Sequence, residues 1–273
     1  MKFIVLIALF AAQLFAAPGA ASKKFFRDPK AAVKPKQAGD TVVVNAASFL
    51  VGVSPGALAT VFGTNLTDVN GEISAVGNPL PLVLANVAVD VNGVPAPMFS
   101  VAYEDGQDVI NFQVPWETPT GHGAAEVQVY DYGQLVADVV VDSFTEDPGI
   151  FGYQEYGNTY AVALHDDFTL IGPNNPASPG EIIVLYANGL GPVNQPVADG
   201  FAAPSFPLAD TEDAFAVTIG GETAAIYFAG LAPEFVGVYQ INLALPPDLP
   251  AGDLTIRIDS AFANSQTVLL SVQ

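Results

Sequence analysis

Cysteine is absent from the chain, and Arg257 is the only basic residue after Lys36. Without disulfides, each folded unit must be held by its own apolar core. Thiol nucleophiles and thiolate metal sites are excluded at the same time. The lack of lysine in the body also excludes Lys–Asn isopeptide cross-links. Histidine occurs only twice, as His122 and His165, which leaves little material for metal or acid–base clusters. Of 28 acidic residues only Asp28 precedes position 38, so from Gln37 onward 27 carboxylates face Arg257 alone, a net charge of −26. Nucleic acid is therefore not an expected partner, because binding it depends on neutralising phosphates with Lys and Arg. With one basic residue in the body, trypsin is expected to leave residues 37–273 nearly intact. Rapid cutting at Arg257 in a timed digest would contradict tight packing of the last strands.

The N-terminal residues differ in kind from the rest. Lys2, an apolar run over 3–15 and the small residues of 16–21 have the pattern of a secretory signal peptide, with cleavage expected between Ala17 and Ala21. The run is shorter than the ~20 apolar residues of a membrane span, and no later segment reaches that length, so the mature chain is expected to lack a transmembrane segment. The expected location is secreted, extracellular or at the cell surface. Residues 22–40 carry Lys23, Lys24, Arg27, Lys30, Lys34 and Lys36 together with Pro29 and Pro35. They read as a basic, flexible leader, with attachment to an acidic envelope or to the acidic body itself as its functional reading.

Beyond the leader the chain reads as all-β. Apolar residues alternate with polar or small ones over 41–44, 58–62, 87–91, 109–114, 126–130 and 135–141, the period of strands. Glycines (25) and prolines (22) punctuate these runs, and no segment sustains a helical apolar repeat. Asn92-Gly93, and Gly220-Gly221 later, permit tight hairpins with two positive-φ residues.

The body also says nearly the same thing twice. Ser54-Pro55-Gly56 and Phe62-Gly63-Thr64-Asn65-Leu66 return as Ser178-Pro179-Gly180 and Tyr186-Ala187-Asn188-Gly189-Leu190. Val89-Asp90-Val91-Asn92-Gly93 is answered by Val217-Thr218-Ile219-Gly220-Gly221, and Ile110-Asn111-Phe112-Gln113-Val114-Pro115 by Ile241-Asn242-Leu243-Ala244-Leu245-Pro246. The shared order implies two copies of one unit. Seven or so short strands per copy, with a turn every eight to twelve residues, predict two tandem immunoglobulin-like β-sandwiches over 41–146 and 147–273. Pro148 stiffens the short linker at the boundary. The Pro- and Ala-rich loop of 192–213 is the main insertion of the second copy and a place to look for function.

Taken in order, Val44-Asn45-Ala46-Ala47-Ser48-Phe49, Ser54-Pro55-Gly56, Phe62-Gly63-Thr64-Asn65-Leu66, Ile110-Asn111-Phe112-Gln113-Val114-Pro115-Trp116, Pro148-Gly149-Ile150-Phe151, Asn175-Pro176-Ala177-Ser178-Pro179-Gly180-Glu181 and Val238-Tyr239-Gln240-Ile241-Asn242 resemble the Solibacter-type C-terminal domain family of secreted acidobacterial proteins. The resemblance covers roughly residues 42–273. Each half also resembles an IPT/TIG domain, the immunoglobulin-like module of cell-surface and extracellular proteins. The resemblance implies location and fold, and no activity.

Candidate sites emerge from residue chemistry. The loops holding Asp68, Asn70 and Glu72 and holding Glu104, Asp105 and Asp108 offer hard oxygen ligands of the kind calcium takes, without EF-hand spacing. No other cofactor is expected. Trp116, Tyr130, Tyr132, Tyr153 and Tyr156, with Tyr160, are the aromatics that could stack on sugar faces. Trp116, just after the strand-ending Pro115, reads more readily as a seal on the end of the first sandwich or on the junction of the two units. Glu104, Asp105, Asp108 and Glu117 could form a glycosidase carboxylate pair, although acidic side chains fill every loop. His165-Asp166-Asp167 reads as an Asp-rich turn more readily than as a base, and His122 between two glycines as a loop residue. With no Gly-x-Ser-x-Gly elbow, hydrolase chemistry of the serine type is not expected. The expected function is a non-enzymatic extracellular interaction or structural module, with an extracellular protein or polysaccharide as partner. The alternatives are a carbohydrate-binding or carbohydrate-active protein, and an adhesive or filament-forming surface subunit with an open sheet edge.

Overall fold

The structure, a computed structural model, describes residues 41–273 apart from His122; the signal peptide and the leader lie outside the described residues, as does that histidine. Among the described residues there is no helix. The first half contains β1 (Val42–Asn45), β2 (Leu58–Gly63), β3 (Glu72–Ser74), β4 (Val87–Val91), β5 (Val94–Pro95), β6 (Met98–Glu104), β7 (Gln107–Gln113), β8 (Gly123–Asp131) and β9 (Gln134–Ser143). The second contains β10 (Gly149–Ile150), β11 (Gly152–Glu155), β12 (Asn158–Ala161), β13 (Ala163–Leu164), β14 (Ile182–Asn188), β15 (Phe215–Ile219), β16 (Glu222–Thr223), β17 (Ala225–Leu231), β18 (Tyr239–Ala244), β19 (Gly252–Ser260) and β20 (Val268–Val272).

The sequence duplication becomes a duplication of topology. In the first half the sheets run β1-β2-β7-β6-β3 and β5-β4-β8-β9. In the second they run β10-β14-β18-β17, with β13 also on β14, and β11-β12-β20-β19-β15-β16. Apart from β3 in the first half and β10 with the β11–β12 hairpin in the second, equivalent strands occupy equivalent places, and the chain is an all-β, immunoglobulin-like protein. Irregularities are copied too. The β6–β7 ladder has a bulge between Met98 and Ser100, and the β17–β18 ladder has one between Ile226 and Phe228, facing Phe112-Asn111 and Leu243-Asn242 respectively. A bulge re-aims the extra residue. In the first copy that residue is Phe99, which packs against the junction of the two halves. In the second it is Tyr227, 68% exposed.

The alternating runs read from sequence correspond to β1, β2, β4, β7, β8 and β9; β4 and β8 bury every second side chain, the central β2 buries all of them, β1 and β7 bury most, and β9 buries only Val141 and Ser143 at its end. Asn92 and Gly93 have φ of 51° and 77° between Val91 and Val94, which pair directly, as a two-residue hairpin with both φ positive requires. Each half has its own core between its two sheets, one around Val61, Val89, Ile110 and Val127 and one around Ile183, Val217, Ile241 and Ile256.

A third apolar cluster belongs to neither half alone. Ala46, Ala47 and Leu58 from the first pack with Phe151, Tyr153, Tyr160, Tyr186 and Val238 from the second. Buried polar groups run through this junction. Asn45 Nδ2 donates to the Asp147 carbonyl at 2.6 Å and to its carboxylate at 3.2 Å. Asn188 Nδ2 donates to Asn45 Oδ1 at 2.9 Å and to the Leu58 carbonyl at 2.8 Å, while its Oδ1 accepts from the Leu58 N–H at 2.9 Å. Gln266 Nε2 bridges the carbonyls of Ala47 and Ile150. Satisfied networks of this kind fix one arrangement, because slipping would leave buried groups unpaired. Gly189 permits the close approach: its φ is +68°, and a Cβ there would overlap the Asp147 carbonyl oxygen. Gly189→Ala is therefore expected to cost at least about 3 kcal/mol, measured by thermal or denaturant melts, since backbone overlap and positive-φ strain act together.

Candidate functional site

The loop of 192–213 turns back onto the first half and acts as a clasp. Leu80 N–H donates to the Gly200 carbonyl at 2.9 Å, and Gly200 N–H donates to Gln113 Oε1 at 2.7 Å. Ala202 N–H donates to Asn78 Oδ1 at 2.9 Å, and Trp116 N–H to Asp199 Oδ1 at 3.0 Å. The loop is also tied to its own half, with Ala203 N–H on the Phe235 carbonyl and Glu234 N–H on the Ala203 carbonyl.

Between clasp and first sandwich remains a cleft of 590 Å³. One wall is the strand-exit segment with Ala75, Val76 and Leu80, floored by the bulged Phe99; the other is Ala203 and Pro204 with Phe235 and Val238. Asn78 and Glu234 are its polar side chains. Val76 at the rim is 85% exposed, and the clasp continues to Phe206, 91% exposed. Apolar side chains held this far into water mark a surface that gains by being covered, and the volume lies within the ~300–1,000 Å³ of ligand clefts. Nothing in the sequence spacing announced this site: its walls come from segments more than 100 positions apart.

The structure brings the two calcium candidate loops to one end of the first sandwich. β3 pairs with β6, and Tyr103 N–H donates to the Gly71 carbonyl. Asp68, Asn70, Glu72 and Asp105 are exposed and Glu104 is half-buried. Asp108 is buried and its carboxylate accepts from the Leu66 N–H at 2.7 Å, tying down the bend that follows β2. Burial pushes its pKa up, the backbone N–H groups of Leu66 and Thr67 pull it down, and Asp131 adds repulsion. Burial, then Asp68, raises Asp131 as well. Among the described residues no three His, Cys, Asp or Glu side chains converge to hold a metal ion.

The aromatic candidates are dispersed. Tyr153 is fully buried, its hydroxyl donating to the Ile171 carbonyl at 2.8 Å. Tyr160 is buried too and donates to Asp253 at 2.7 Å. Tyr130 is half-buried and bonded to Gln128. Tyr132 and Tyr156 are 62% and 71% exposed, at the tips of two different hairpins. Trp116 packs against the core of the second half, its Nε1 buried without a hydrogen-bond partner among the described residues. The ring covers Gly56, where a Cβ would collide with it. Trp116 thus closes the junction. His165 Nδ1 meets Glu181 Oε1 at 2.5 Å, and Glu181 Oε2 accepts from the Ser178 N–H, so the pair ties a turn to the start of β14.

No family model matches the chain, and no curated protein is similar to it. Among solved structures, it is similar to SGBP-B of the Bacteroides ovatus mixed-linkage glucan utilization locus in complex with a mixed-linkage heptasaccharide, at 14% identity and a TM-score of 0.33, over 81% of this chain and 42% of that one. It is similar to the Yersinia pseudotuberculosis adhesin InvE at 11% identity and a TM-score of 0.22, over 85% and 58%. It is similar to the C-terminal domain of the Streptococcus agalactiae AgI/II polypeptide BspA at 13% identity and a TM-score of 0.21, over 85% and 99%. The chain spans less than half the length of the glucan-locus protein. Similarity at this level assigns no activity or ligand.

Proposed function

We propose that the protein is a secreted, non-enzymatic extracellular binding module, made of immunoglobulin-like units 41–146 and 147–273 behind a signal peptide and a basic leader. The cleft between the units takes an apolar portion of an extracellular partner. The observation that carries this reading is the cleft itself: apolar walls, two polar side chains to orient an occupant, and a rim that holds Val76 in water. Two further points support it. The clasp and the Asn45–Asn188 network hold both walls in place, so little ordering is needed on binding. The body carries one basic residue and no cysteine, which leaves few groups for acid–base or nucleophilic chemistry. No described helix is long and apolar enough to cross a membrane. Membership of the Solibacter-type family is part of the same proposal and rests on the ordered motifs.

Co-sedimentation with bacterial envelopes and with bare insoluble polysaccharides, in calcium and in chelator, tests the ligand class. The reading expects pelleting with protein-bearing envelopes, unchanged by chelator. Pelleting with polysaccharide alone would favour the carbohydrate reading instead, and loss in chelator would return weight to the loops of Asp68 and Asp105.

A further inference from the structure

The two halves differ at one sheet edge. In the second half the outer side of β20 is covered: Ala177 N–H donates to the Ser271 carbonyl, Gln273 N–H donates to the Ala177 carbonyl, and β12 joins in parallel with Tyr160 opposite Leu269. In the first half Val53 takes the place of Ala177, donating to the Asp142 carbonyl and accepting from the Phe144 N–H. The counterpart of β12 is missing: among the described residues no strand pairs with the outer side of β9 from Gln134 to Val141. Gly123 faces Ser143 as Gly252 faces Val272, so Val140 occupies the position of Leu269, and it is 66% exposed. The Asp142 carbonyl points outward to Val53, and the two-residue period of a strand aims the N–H and C=O of Val140 and Asp138 the same way. A free edge of this length is a template for another strand.

We propose that the outer edge of β9 is a strand-accepting site, filled in parallel by the basic segment just ahead of β1, residues 30–40 of the same chain. Chain order supports this occupant. β12 runs directly into β13, which pairs with β14 as β1 pairs with β2, so in the first half the corresponding segment is the one that ends at Thr41. Charge supports it as well. Asp138 and Asp142 on β9 and Glu126 beside them on β8 are exposed, and Lys30, Lys34 and Lys36 supply cations that the body, with Arg257 alone, cannot. The exposed Val140 and Leu135 offer apolar surface for the added strand to cover.

The test compares the complete secreted chain with a variant carrying Lys30→Glu, Lys34→Glu and Lys36→Glu, by residue-resolved amide hydrogen exchange. Amides of Asp138 and Val140 are expected to exchange at least tenfold more slowly in the wild type, with other amides and the melting temperature unchanged. Equal, rapid exchange in both chains would overturn the proposal. A second variant, Val140→Pro, removes an outward N–H that pairing with β8 does not use, so the sandwich keeps its fold. It is expected to speed trypsin cutting after Lys36, and an unchanged rate would count against docking. Protection that rises with protein concentration would assign the strand to a second copy and overturn docking within one chain.

Discussion

Asn188→Ala is expected to destabilise the whole chain by about 3 kcal/mol, and the wild type to unfold in one transition. Asn188 is fully buried. Its amide satisfies both the N–H and the C=O of Leu58 and also reaches Asn45, all in the other half of the molecule. Truncation leaves the Leu58 N–H buried and unpaired and opens a small void, and each unpaired buried group costs about 1–3 kcal/mol. Because the lost bonds span the junction, both sandwiches feel the change. Scanning calorimetry is the check: one peak with matching calorimetric and van't Hoff enthalpies for the wild type, shifted down by roughly 6–12 °C in the variant. Two independent wild-type peaks, with only the later-melting half responding, would mean that the halves are separate bodies.

Acidification from pH 7 to pH 4.5 is expected to stabilise the protein. Burial pushes the Asp147 carboxyl up to about 6, against the opposing hydrogen bond from Asn45. Burial also raises Asp199 to about 6, with the Trp116 N–H pulling down and Glu117 pushing up. Glu146 is raised by burial, lowered by Ser260 and raised again by Asp213. All three lie at the junction. The folded state therefore holds these protons more tightly than the unfolded chain, whose aspartates titrate near 3.8. The stabilisation is complete below about pH 4, is lost as the pH rises through about 6, and is constant above that. Asp147 alone contributes about 3 kcal/mol across this window; the half-exposed Asp199 contributes less because solvent screens it. Melts between pH 4.5 and 8 should show a fall of at least about 5 °C. Asp147→Asn, which keeps the shape and removes the charge, should raise the melting temperature at pH 7 and flatten the profile. A variant with unaltered pH dependence would show that Asp147 is not the group responsible.

Period-two runs and repeated motifs make most of the strands and the duplication legible in the sequence, because side-chain alternation and turn chemistry are local. Asn92-Gly93 declared its hairpin for the same reason. The β11–β12 hairpin did not, since Tyr156 stands where Asn, Asp or Gly usually marks such a turn, at a φ of 50°. The short β3, and β6 with its bulge, also went unread: three residues carry no period, and the bulge at Phe99 breaks the alternation that would have revealed the longer strand. The junction was invisible for a different reason. Asn45 and Asn188 are 143 positions apart, and nothing in either neighbourhood says that one amide will face the other. The loop of 192–213 read as the main insertion of the second copy and a place to look for function. Its backbone bonds to Leu80, Gln113 and Asn78 make it a clasp, and its contribution to the site is a wall. Composition foretold a surface crowded with carboxylates, which is also why no pair of them stood out as a site.

Co-sedimentation of the wild-type chain and of Val76→Asp with bacterial envelopes, side by side, bears most directly on the cleft as the binding surface. Val76 is 85% exposed, so the substitution places a charge at the mouth of the cleft with little effect on folding. The wild type is expected to pellet and the variant to remain in the supernatant, at equal melting temperatures. Equal pelleting of both chains, or none by the wild type, would contradict the account.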